Sequence, residues 1–503
     1  MNFAIMSDNE RIYRSMNLSG LFEGLSVRLP GESGKLEING ITVDSRTVQP
    51  GNLFIAIPGH SQDGRQYISE AVSLGASAVL TASKKEIIAG VPIILTDDLK
   101  NIISAIANRY YDLPSEKIKV SGVTGTNGKT TTTYLIAGIF DSVGEKWGKI
   151  GTVGYDTGSR IVPAQNTTPG PVEIQKLLAE MADNGLDGCA MEVSSHALDQ
   201  GRADGIRFHS ATFTNLTQDH LDYHENMEKY FLAKAGLFEN AACSVVNIDD
   251  DYGKKLLNLI KGDIVTYGFK QGADLECKAL NTAIDSSLLE FKYKDRVSQF
   301  RFPLPGMFNH LNAAAAAATA LAYGLSLDSA CEGLSKATMV PGRMEAITLG
   351  QPFGVYVDYA HTPGALENLL NSIKYFKPDH MHVVFGCGGD RDVTKRPLMA
   401  EAVSRYADYV YLTSDNPRTE DPEKIIKDAL PGISDKKRCK VIEDRALAIK
   451  AAITSAQKGD VVVIAGKGHE EYQIIGGVKK YFSDVEAAKS ELRKLGYENN
   501  DRK

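Results

Sequence analysis

The feature that most constrains the fold is a strand, a glycine-rich loop and a helix in residues 119–131. The loop reads Gly125-Thr126-Asn127-Gly128-Lys129-Thr130-Thr131. Glycines let the backbone approach a polyphosphate, N–H groups at a helix start point at it, Lys129 adds positive charge and Thr130 can bind Mg²⁺. Only two residues separate the glycines, so the first glycine of the common GxxxxGK[ST] pattern is displaced. A glycine-rich turn with a chance Lys-Thr pair would not need the flanking strand and helix. The segment therefore predicts a nucleotide-binding loop.

Length and composition limit the remaining possibilities. A chain of 503 residues is too long for one core and predicts about three domains. The net charge is -7 and the basic residues are dispersed, which argues against a nucleic-acid partner. The sequence has no apolar span long enough for a membrane and no signal-like N-terminus, so we expect a soluble cytoplasmic protein without a membrane partner. The six cysteines lie in or beside apolar runs without C-x-x-C spacing, and we expect small apolar residues rather than disulfides or zinc ligands.

Apolar runs that end in polar clusters recur along the chain, four in residues 116–342 and four in residues 343–503. Ligands gather at the carboxyl ends of parallel strands, so we expect a crevice in each region. Residues 1–115 contain short strands and turns, and the alanine-rich stretch after Asn312 is expected to be a helix. The predicted fold is α/β with three domains: a small mixed α/β N-terminal domain (1–115), a central P-loop-type ATP-binding domain with a mainly parallel sheet (116–342) and a C-terminal Rossmann-like, doubly wound domain (343–503).

Three polar residues outside the loop are candidates for chemistry. Glu192 ends a strand about 60 residues after the loop, where P-loop folds place a Mg²⁺-binding acid, with Thr130 as its partner; the alternative is a helix cap. His220 lies among acids at a strand end, where a histidine alone is more often a turn or cap residue, but the neighbouring motifs favour a ligand. Lys234 lies on an otherwise apolar helix face. From the residues alone it is expected to be a surface lysine with a buried stem.

Over nearly its whole length, apart from about the first 25 residues and the tail, the chain resembles the Mur ligases. Seven motifs occur in the family's order. They are Gly-Thr-Asn-Gly-Lys-Thr-Thr from residue 125, Glu-Val-Ser-Ser-His from 192, Asp-His-Leu-Asp-Tyr-His from 219, Ala-Lys-x-x-Leu-Phe from 233, Asn309-His310-x-Asn312, Gly-Gly-Asp-Arg-Asp from 388 and Asp-Asn-Pro-Arg from 415. The best match is the branch that adds the third residue of the peptidoglycan stem peptide.

The resemblance implies an ADP-forming amide ligase. Such an enzyme activates the D-Glu carboxylate of UDP-N-acetylmuramoyl-L-Ala-D-Glu (UDP-MurNAc-L-Ala-D-Glu) as an acyl phosphate, which an amine of meso-diaminopimelate then attacks. The implied cofactors are ATP, two Mg²⁺ ions and a CO₂-derived carbamate on Lys234, in conflict with the surface position expected above. The implied partners are these small molecules, and we expect a monomer. The same ligation with L-lysine is an alternative, as is a ligase similar to folylpolyglutamate synthetase, which should not need the Asp-Ser-Arg loop at residue 44 or Asp-Asn-Pro-Arg. A nucleotide-dependent switch is a third, less favoured possibility.

The resemblance also assigns roles residue by residue. Metal and phosphate binding would fall to Lys129, Thr130, Glu192, His220 and Lys234. The nucleotide would contact residues 125–131, with Asn309 and His310 at the adenine, Arg343 at a phosphate and Asp358 at the ribose. The sugar-nucleotide substrate would contact Val43, Ser45, His60, Ser61 and Gln62 in the N-terminal domain and Asn166, Thr167, Thr168, Ser194, Gln200 and Arg202 in the central one. The incoming amino acid would contact Arg391, Asp415, Asn416, Pro417, Arg418, Gly466 and Glu470.

The prediction of which amino acid is added depends on Arg418. Meso-diaminopimelate ends in an ammonium and a carboxylate, and a planar guanidinium suits that carboxylate because it can donate two hydrogen bonds. L-Lysine has no such carboxylate, and relatives that add lysine generally lack this arginine. Asp415 and Glu470 suit the ammonium. The alternative for Arg418 is a surface residue of an Asn-Pro turn.

Overall fold

The computed structural model describes residues 15–59, 63–82, 90–283 and 286–498. Its strands are β1 (Met16–Asn17), β2 (Glu37–Ile38), β3 (Gly40–Thr42), β4 (Asn52–Ala56), β5 (Ala78–Thr81), β6 (Ile93–Leu95), β7 (Lys119–Thr124), β8 (Trp147–Gly151), β9 (Gly154–Asp156), β10 (Ile161–Val162), β11 (Gly188–Glu192), β12 (Phe208–Phe213), β13 (Ala241–Asn247), β14 (Asp263–Gly268), β15 (Leu275–Thr282), β16 (Ser287–Tyr293), β17 (Arg296–Phe302), β18 (Glu345–Ala346), β19 (Gly354–Asp358), β20 (Met381–Phe385), β21 (Tyr409–Leu412), β22 (Cys439–Val441), β23 (Val461–Ala465), β24 (Tyr472–Ile475) and β25 (Val478–Tyr481). Its α-helices are α1 (Leu18–Leu21), α2 (Ile68–Ser73), α3 (Leu99–Tyr110), α4 (Pro114–Lys117), α5 (Lys129–Ser142), α6 (Pro171–Asp183), α7 (Ser195–Asp199), α8 (Leu221–His224), α9 (Met227–Ala235), α10 (Asp251–Leu257), α11 (Met307–Ala322), α12 (Leu327–Ser335), α13 (Pro363–Lys374), α14 (Lys395–Tyr406), α15 (Pro422–Ala429), α16 (Arg445–Ser455) and α17 (Asp484–Lys494).

The chain divides into two compact units. The first unit comprises Met1–Gly122, Glu145–Ala211 and Ala233–Ala242. The second unit comprises Val123–Gly144, Thr212–Leu232 and Cys243–Lys503.

In the first unit, strands β3, β4, β5 and β6 form a parallel sheet in that order. Strands β4 and β5 are buried along their whole length, because both of their faces are covered. Leu53 and Leu80 point into a core shared with α3, whereas Phe54 and Val79 point into a core shared with α2. This alternation is the two-residue period of a strand.

A second sheet of the first unit contains β10, β9, β8, β11 and the start of β7, in that order. Strand β11 is parallel to β8, with Cys189 opposite Gly148, whereas β9 runs antiparallel to β8. All five residues of β11 are buried, and the last of them is Glu192. The sheet therefore delivers Glu192 at the carboxyl end of a buried strand, as the sequence predicted.

In the second unit, β13, β14 and β15 are parallel neighbours, and β15, β16 and β17 continue as antiparallel hairpins. Helix α11 is the predicted alanine-rich helix, and it contacts both α5 and α12. Its six consecutive alanines are fully buried, so neighbouring elements approach its backbone closely. Helix α5 begins directly after the glycine-rich loop.

The last part of the second unit is a six-stranded sheet in the order β18-β19-β23-β20-β21-β22. Strands β19, β23, β20, β21 and β22 are parallel, and β18 is antiparallel to β19. Helices α13, α14 and α15 cover one face and helices α16 and α17 cover the other, each over its own apolar core. This is the doubly wound arrangement predicted for residues 343–503. The boundaries predicted after residues 115 and 342 remain predictions.

No helix in the described parts of the chain is both long enough and apolar enough to cross a membrane. The six cysteines are free thiols, and Cys189, Cys277, Cys331 and Cys387 are buried.

Candidate active site

The glycine-rich loop joins β7 to α5 in a conformation that requires its two glycines. Gly125 has φ +151° and Gly128 has φ +87°. A Cβ atom on Gly125 would lie 1.9 Å from the Thr214 hydroxyl, and one on Gly128 would lie 2.3 Å from Asn312 Oδ1. The first N–H groups of α5 have no acceptor within the helix, so they face the hollow that the loop encloses. Backbone shape alone therefore provides an anion-binding cradle.

Residues that follow β12 support the loop from outside. The N–H groups of Thr126 and Asn127 donate to the carbonyl and side-chain oxygens of Asn215, at 2.8 and 3.0 Å. The Thr214 hydroxyl donates to the carbonyl of Asn127 at 2.6 Å. These bonds fix the loop before any ligand arrives. The sequence analysis did not single out Thr214 or Asn215.

The cations beside the loop are Lys129 and Arg343. Lys129 Nζ donates to the carbonyls of Gly125 and Thr126, both at 2.9 Å, so the ammonium lies across the loop. Arg343 Nη2 donates to the Thr130 hydroxyl at 2.8 Å, and its guanidinium lies 5.0 Å from the centre of the Tyr359 ring. Arg343 Nε is buried without a hydrogen-bond partner in the described structure. A buried, unused N–H on a cation beside a phosphate-type loop fits an anionic ligand.

Asn309 and His310, the predicted adenine contacts, are buried in the first turn of α11. Asn309 Nδ2 donates to the Pro305 carbonyl at 2.6 Å, and its Oδ1 accepts from Asn312 at 2.8 Å. His310 Nε2 lies 2.8 Å from the Ser287 hydroxyl. Burial lowers the pKa of His310 to about 4, so its imidazole is neutral near pH 7. Asn312, which also contacts Gly128, connects this turn to the loop.

Asp358, the predicted ribose contact, is buried at the end of β19. Its carboxylate accepts from the N–H groups of Met344 and Ala360, at 2.7 and 2.8 Å. Burial raises its pKa above the ordinary value, although Arg343 and these hydrogen bonds oppose the rise. In this structure Asp358 holds the segment that carries Arg343.

In the first unit, Glu192 lies among the predicted substrate residues. Its carboxylate accepts from the Thr152 N–H at 2.8 Å and the Thr152 hydroxyl at 3.2 Å. The Thr152 Oγ1 atom also lies 3.2 Å from Thr167 Oγ1, within hydrogen-bond distance. The Thr168 hydroxyl donates to the Glu192 carbonyl at 2.9 Å and accepts from the Ser194 N–H at 3.0 Å. The structure thus brings Thr167, Thr168 and Ser194 to Glu192, and it adds Thr152, which the sequence analysis missed.

Gln200 and Arg202 join the same group. Arg202 Nε donates to Gln200 Oε1 at 2.9 Å, and its Nη1 donates to the Thr168 carbonyl at 3.1 Å. The Asn166 carbonyl accepts from the Tyr155 hydroxyl at 2.7 Å. Burial raises the pKa of Tyr155, so this phenol stays a donor.

The N-terminal candidates are only partly described. Val43 is exposed, and the buried Ser45 hydroxyl donates to Glu70 Oε2 at 3.1 Å. Between them, Asp44 forms an ion pair with Arg46. His60, Ser61 and Gln62 lie outside the described residues.

Lys234 is 2% exposed, so the surface position expected from its helix pattern is wrong. Carbamylation would exchange the cation of this buried side chain for an anion. Burial is consistent with the modification that the family resemblance implies.

His220 begins α8 with φ +52°, and its side chain is half-exposed. Its Nε2 lies 3.5 Å from Asp219 Oδ2, and Asp219 Oδ1 lies 3.4 Å from Lys395 Nζ. Burial would raise the pKa of Asp219, but the charges of His220 and Lys395 outweigh it and lower the pKa. In the parts of the chain with described side chains, no three His, Cys, Asp or Glu residues are grouped closely enough to hold a metal ion. The predicted ligand set includes a threonine and a lysine and does not depend on such a group.

The crevice predicted to bind the incoming amino acid lies at the carboxyl ends of β20, β21 and β23. Asn416 Nδ2 donates to Glu470 Oε2 at 2.9 Å, and Arg418 Nη1 donates to the Gly389 carbonyl at 2.5 Å. A Cβ on Gly466 would lie 2.7 Å from Asp415 Oδ2, and one on Gly389 would lie 1.9 Å from the Pro417 carbonyl. The structure therefore brings these predicted residues together. Arg391 is exposed at the edge, where its Nη1 donates to the Asp390 carbonyl.

The hairpin of β24 and β25 holds the segment that carries Arg418. The Arg418 N–H donates to the Ile474 carbonyl at 2.9 Å, and the Gly477 N–H donates to the Arg418 carbonyl at 3.1 Å. Gln473 Nε2 donates to the Asp415 carbonyl at 2.7 Å. Arg418 itself has φ +55°, a left-handed conformation that costs a non-glycine residue free energy. Arg418 is thus a constrained residue, not a free surface side chain of a turn.

Comparison with known proteins identifies the family of this chain. Models of the Mur ligase family, catalytic domain, the Mur ligase middle domain and the Mur ligase glutamate ligase domain match residues 37–123, 123–320 and 342–468. A UDP-N-acetylmuramoyl-L-alanyl-D-glutamate--2,6-diaminopimelate ligase from Caldanaerobacter subterraneus subsp. tengcongensis is 41% identical over 480 residues, covering 95% of this chain and 99% of the relative. The chain belongs to the Mur ligase family.

Solved structures of other Mur ligases share the fold. A UDP-N-acetylmuramoyl-L-alanyl-D-glutamate--2,6-diaminopimelate ligase matches with a TM-score of 0.68 and 34% identity, over 96% of this chain and 100% of that chain. The MurF ligase from Thermotoga maritima, solved in complex with ADP, matches with a TM-score of 0.63 and 20% identity, over 90% and 97% of the two chains. At that identity the second match shows the fold alone. The three-domain α/β Mur ligase architecture predicted from the sequence is confirmed.

Several residues that contact the predicted site were not themselves predicted from the sequence. Thr152, Asn215 and Lys467 contact predicted site residues from positions 40, 88 and 51 residues away in the chain. Asn215 and Lys467 had a sequence signal, since each lies in a polar cluster that follows an apolar strand. The roles assigned to individual residues remain predictions.

Proposed function

We propose that this Mur ligase joins meso-diaminopimelate to the D-Glu carboxylate of UDP-MurNAc-L-Ala-D-Glu, with ATP cleaved to ADP and phosphate. The observation that carries the proposal is the crevice around Arg418. It offers an arginine whose backbone is held by the hairpin and, at Asp415 Oδ2, a buried carboxylate oxygen without a hydrogen-bond partner in the described structure. One anion-binding and one cation-binding group suit the zwitterionic end of diaminopimelate. Relatives about 40% identical over most of the chain are named as this ligase.

The first half-reaction forms the acyl phosphate. A carboxylate oxygen of D-Glu attacks the γ-phosphorus of ATP, an O–P bond forms, the bond from γ-phosphorus to the bridging oxygen breaks, and ADP leaves. The loop N–H groups and Lys129 bind the phosphate oxygens, on which negative charge accumulates. In this structure the Lys129 ammonium rests on two loop carbonyls, so it exchanges neutral acceptors for charged ones when ATP binds.

Arg343 is proposed to turn from the Thr130 hydroxyl to a phosphate oxygen. Its buried, unpartnered Nε shows that the guanidinium has donors to spare. This movement would free the Thr130 hydroxyl. Asn309 and His310 are proposed to contact adenine and Asp358 the ribose, with His310 neutral.

The proposed ligands of two Mg²⁺ ions are Glu192 and carbamylated Lys234 in the first unit and Thr130 and His220 in the second. Mg²⁺ bound there would neutralise charge on the phosphate oxygens. Three of the proposed ligands, the hydroxyl, the carboxylate and the carbamate, offer oxygens, which a hard cation prefers, whereas His220 would offer a ring nitrogen. Buried Glu192 accepts hydrogen bonds from Thr152, which orient its carboxylate.

The second half-reaction forms the amide. The amine of diaminopimelate attacks the acyl carbon, a tetrahedral intermediate forms, phosphate leaves and the nitrogen loses a proton. Asp415 and Arg418 would hold the far end of the amino acid so that the reacting amine is correctly placed. In the first unit, Val43, Ser45, Asn166, Thr167, Thr168, Ser194, Gln200 and Arg202 are proposed to hold the sugar nucleotide. We propose that the enzyme acts in the cytoplasm as a monomer.

The test is ADP release by the purified protein with UDP-MurNAc-L-Ala-D-Glu, comparing meso-diaminopimelate with L-lysine at equal concentrations. We expect turnover with diaminopimelate and little with lysine. Turnover with lysine alone would leave the ligase in place and contradict the role of Arg418. If neither amino acid supports turnover but a folate with glutamate does, the proposed substrate is wrong.

A further inference from the structure

Lys467, directly after β23, is a buried cation in the amino-acid crevice. None of its side-chain surface is exposed. Its Nζ donates to Asn416 Oδ1 at 3.2 Å and to Glu470 Oε2 at 3.1 Å, and it lies 5.4 Å from the centre of the Tyr472 ring. A lysine without exposed surface cannot touch a substrate unless the site rearranges. It can act only through the residues that it contacts.

The Glu470 carboxylate is shared among three donors of the protein. Besides Lys467, it accepts from Asn416 Nδ2 at 2.9 Å and from the Tyr472 hydroxyl at 3.3 Å. A charge-assisted bond inside the protein orients a carboxylate and offsets its negative charge. Glu470 therefore meets an incoming ammonium as a fixed and partly neutralised group.

Asn416 connects this ion pair to the arginine that follows. Its Oδ1 accepts from both Lys467 and the Ile474 N–H, the latter at 3.0 Å, and its carbonyl accepts from the Gly389 N–H at 2.9 Å. Arg418, two residues later, needs such anchors because its backbone is left-handed. Through Asn416, Lys467 therefore helps to hold the backbone that positions the Arg418 guanidinium.

The buried charges around Asp415 are arranged differently. Arg445 forms a two-pronged ion pair with Asp484, at 2.7 and 2.8 Å, and both side chains are fully buried. Its Nη1 lies 3.9 Å from Asp415 Oδ2, beyond hydrogen-bond distance. Of the carboxylates Glu470, Asp484 and Asp415, only the last keeps a buried oxygen without a hydrogen-bond partner in the described structure.

We propose that Lys467 is a positioning residue for amino-acid specificity, which holds Asn416 and Glu470 in place and leaves Asp415 as the main acceptor for the substrate ammonium. The inference rests on the proposed ligase function. It predicts that removal of the Lys467 charge weakens diaminopimelate binding selectively, although Lys467 does not touch the substrate. If Lys467 only stabilised the fold, its removal would weaken the binding of all substrates equally.

The test compares K467M with K480M, which makes the same change at an exposed lysine of the neighbouring β24–β25 hairpin. We expect K467M to raise the KM for meso-diaminopimelate about 10- to 100-fold, the loss of one charge-assisted hydrogen bond. The KM values for ATP and for the sugar nucleotide should stay unchanged, and the preference over L-lysine should fall. K480M should behave as the wild type. An unchanged diaminopimelate KM in K467M, or an equal rise for all three substrates, would overturn the proposal.

The double variant K467M/E470Q removes both members of the ion pair, and its hydrogen exchange covers the case in which K467M does not fold. If Lys467 acts through Glu470 and Asn416, the rise in the diaminopimelate KM of the double variant is smaller than the product of the two single effects. Single effects that multiply would overturn the proposal.

Hydrogen exchange of the backbone gives a readout that does not depend on activity. The N–H groups of Ile474 and Arg418 should exchange faster in K467M or K467M/E470Q than in the wild type, whereas exchange in α5 should not change. Unchanged exchange at both sites would refute positioning by Lys467. If the wild type releases no ADP with diaminopimelate, the proposed function fails by itself, and the exchange result still decides the role of Lys467.

Discussion

The predicted phosphate loop and the proposed amino-acid crevice of the second unit are built by different means. The loop uses seven consecutive residues, and its shape comes from two glycines and from N–H groups. The crevice uses side chains from three strand ends and a hairpin, joined by buried ion pairs. Phosphates are common to every nucleoside triphosphate, whereas the far end of an amino acid distinguishes it from others. Changes in the loop should therefore reduce turnover with any amino acid, and changes in the crevice should alter which one is used.

The largest effect is expected from K129A in the loop. Loss of the ammonium should reduce kcat by about 100- to 1,000-fold, because charge on the transferred phosphoryl group loses a fixed cation. The ratio of rates with diaminopimelate and lysine should not change. ADP release measured with each amino acid checks this, and K146A at an exposed lysine is the control. A change in the ratio would contradict the division between loop and crevice.

The variant R418M changes the crevice instead of the loop. We expect kcat/KM for diaminopimelate to fall about 100-fold, since a carboxylate loses a charge-assisted pair of hydrogen bonds. The value for lysine should change little, and the KM for ATP should not change. R438M, at an exposed arginine of the same domain, is the matched control. Equal losses with both amino acids would show that Arg418 supports the fold instead of reading the substrate.

Two glycine-to-alanine substitutions, one directly before α5 and one in its middle, test how strongly the loop depends on its backbone conformation. G128A places a methyl group 2.3 Å from Asn312 Oδ1 in a left-handed residue, which should cost about 1 to 2 kcal/mol for the conformation alone. G138A has open space around the new methyl group and should stabilise the helix by about 0.5 to 1 kcal/mol. Urea unfolding midpoints compare the two. Equal stabilities would mean that the loop tolerates a side chain at Gly128.

The smallest effect concerns the pH dependence of stability through His310. Its folded pKa, about 4, lies below the ordinary value of 6.5, so the unfolded chain binds more protons between these values. The contribution is complete above about pH 6.5 and is lost as the pH falls toward 4. At pH 5.5 the loss should be about 1.4 kcal/mol. H310Q should remove this part of the slope in urea unfolding, and an identical slope in both proteins would contradict a buried neutral histidine.

The contrast between a loop built from consecutive residues and a crevice built from distant ones also explains which features could be predicted from the sequence. The loop, β11 with Glu192, the alanine helix and the doubly wound sheet were predictable, because each depends on neighbours in the chain. Asn215 and Thr152 were missed because their partners lie 88 and 40 residues away. Lys234 was misjudged for the same reason, since a helix pattern shows which face is apolar but not what covers the charged residue. The buried role of Lys467 also depends on a segment elsewhere in the chain.

The left-handed backbone at Arg418 has an evolutionary consequence. Its backbone N–H donates to the hairpin and its carbonyl accepts from the hairpin, and both bonds would remain with another side chain. Asparagine and glycine adopt this conformation more readily than arginine does. If Arg418 binds the second carboxylate of diaminopimelate as proposed, a single codon change could abolish that recognition while relieving strain. A lineage could then change the amino acid that its enzyme adds without first rebuilding the fold.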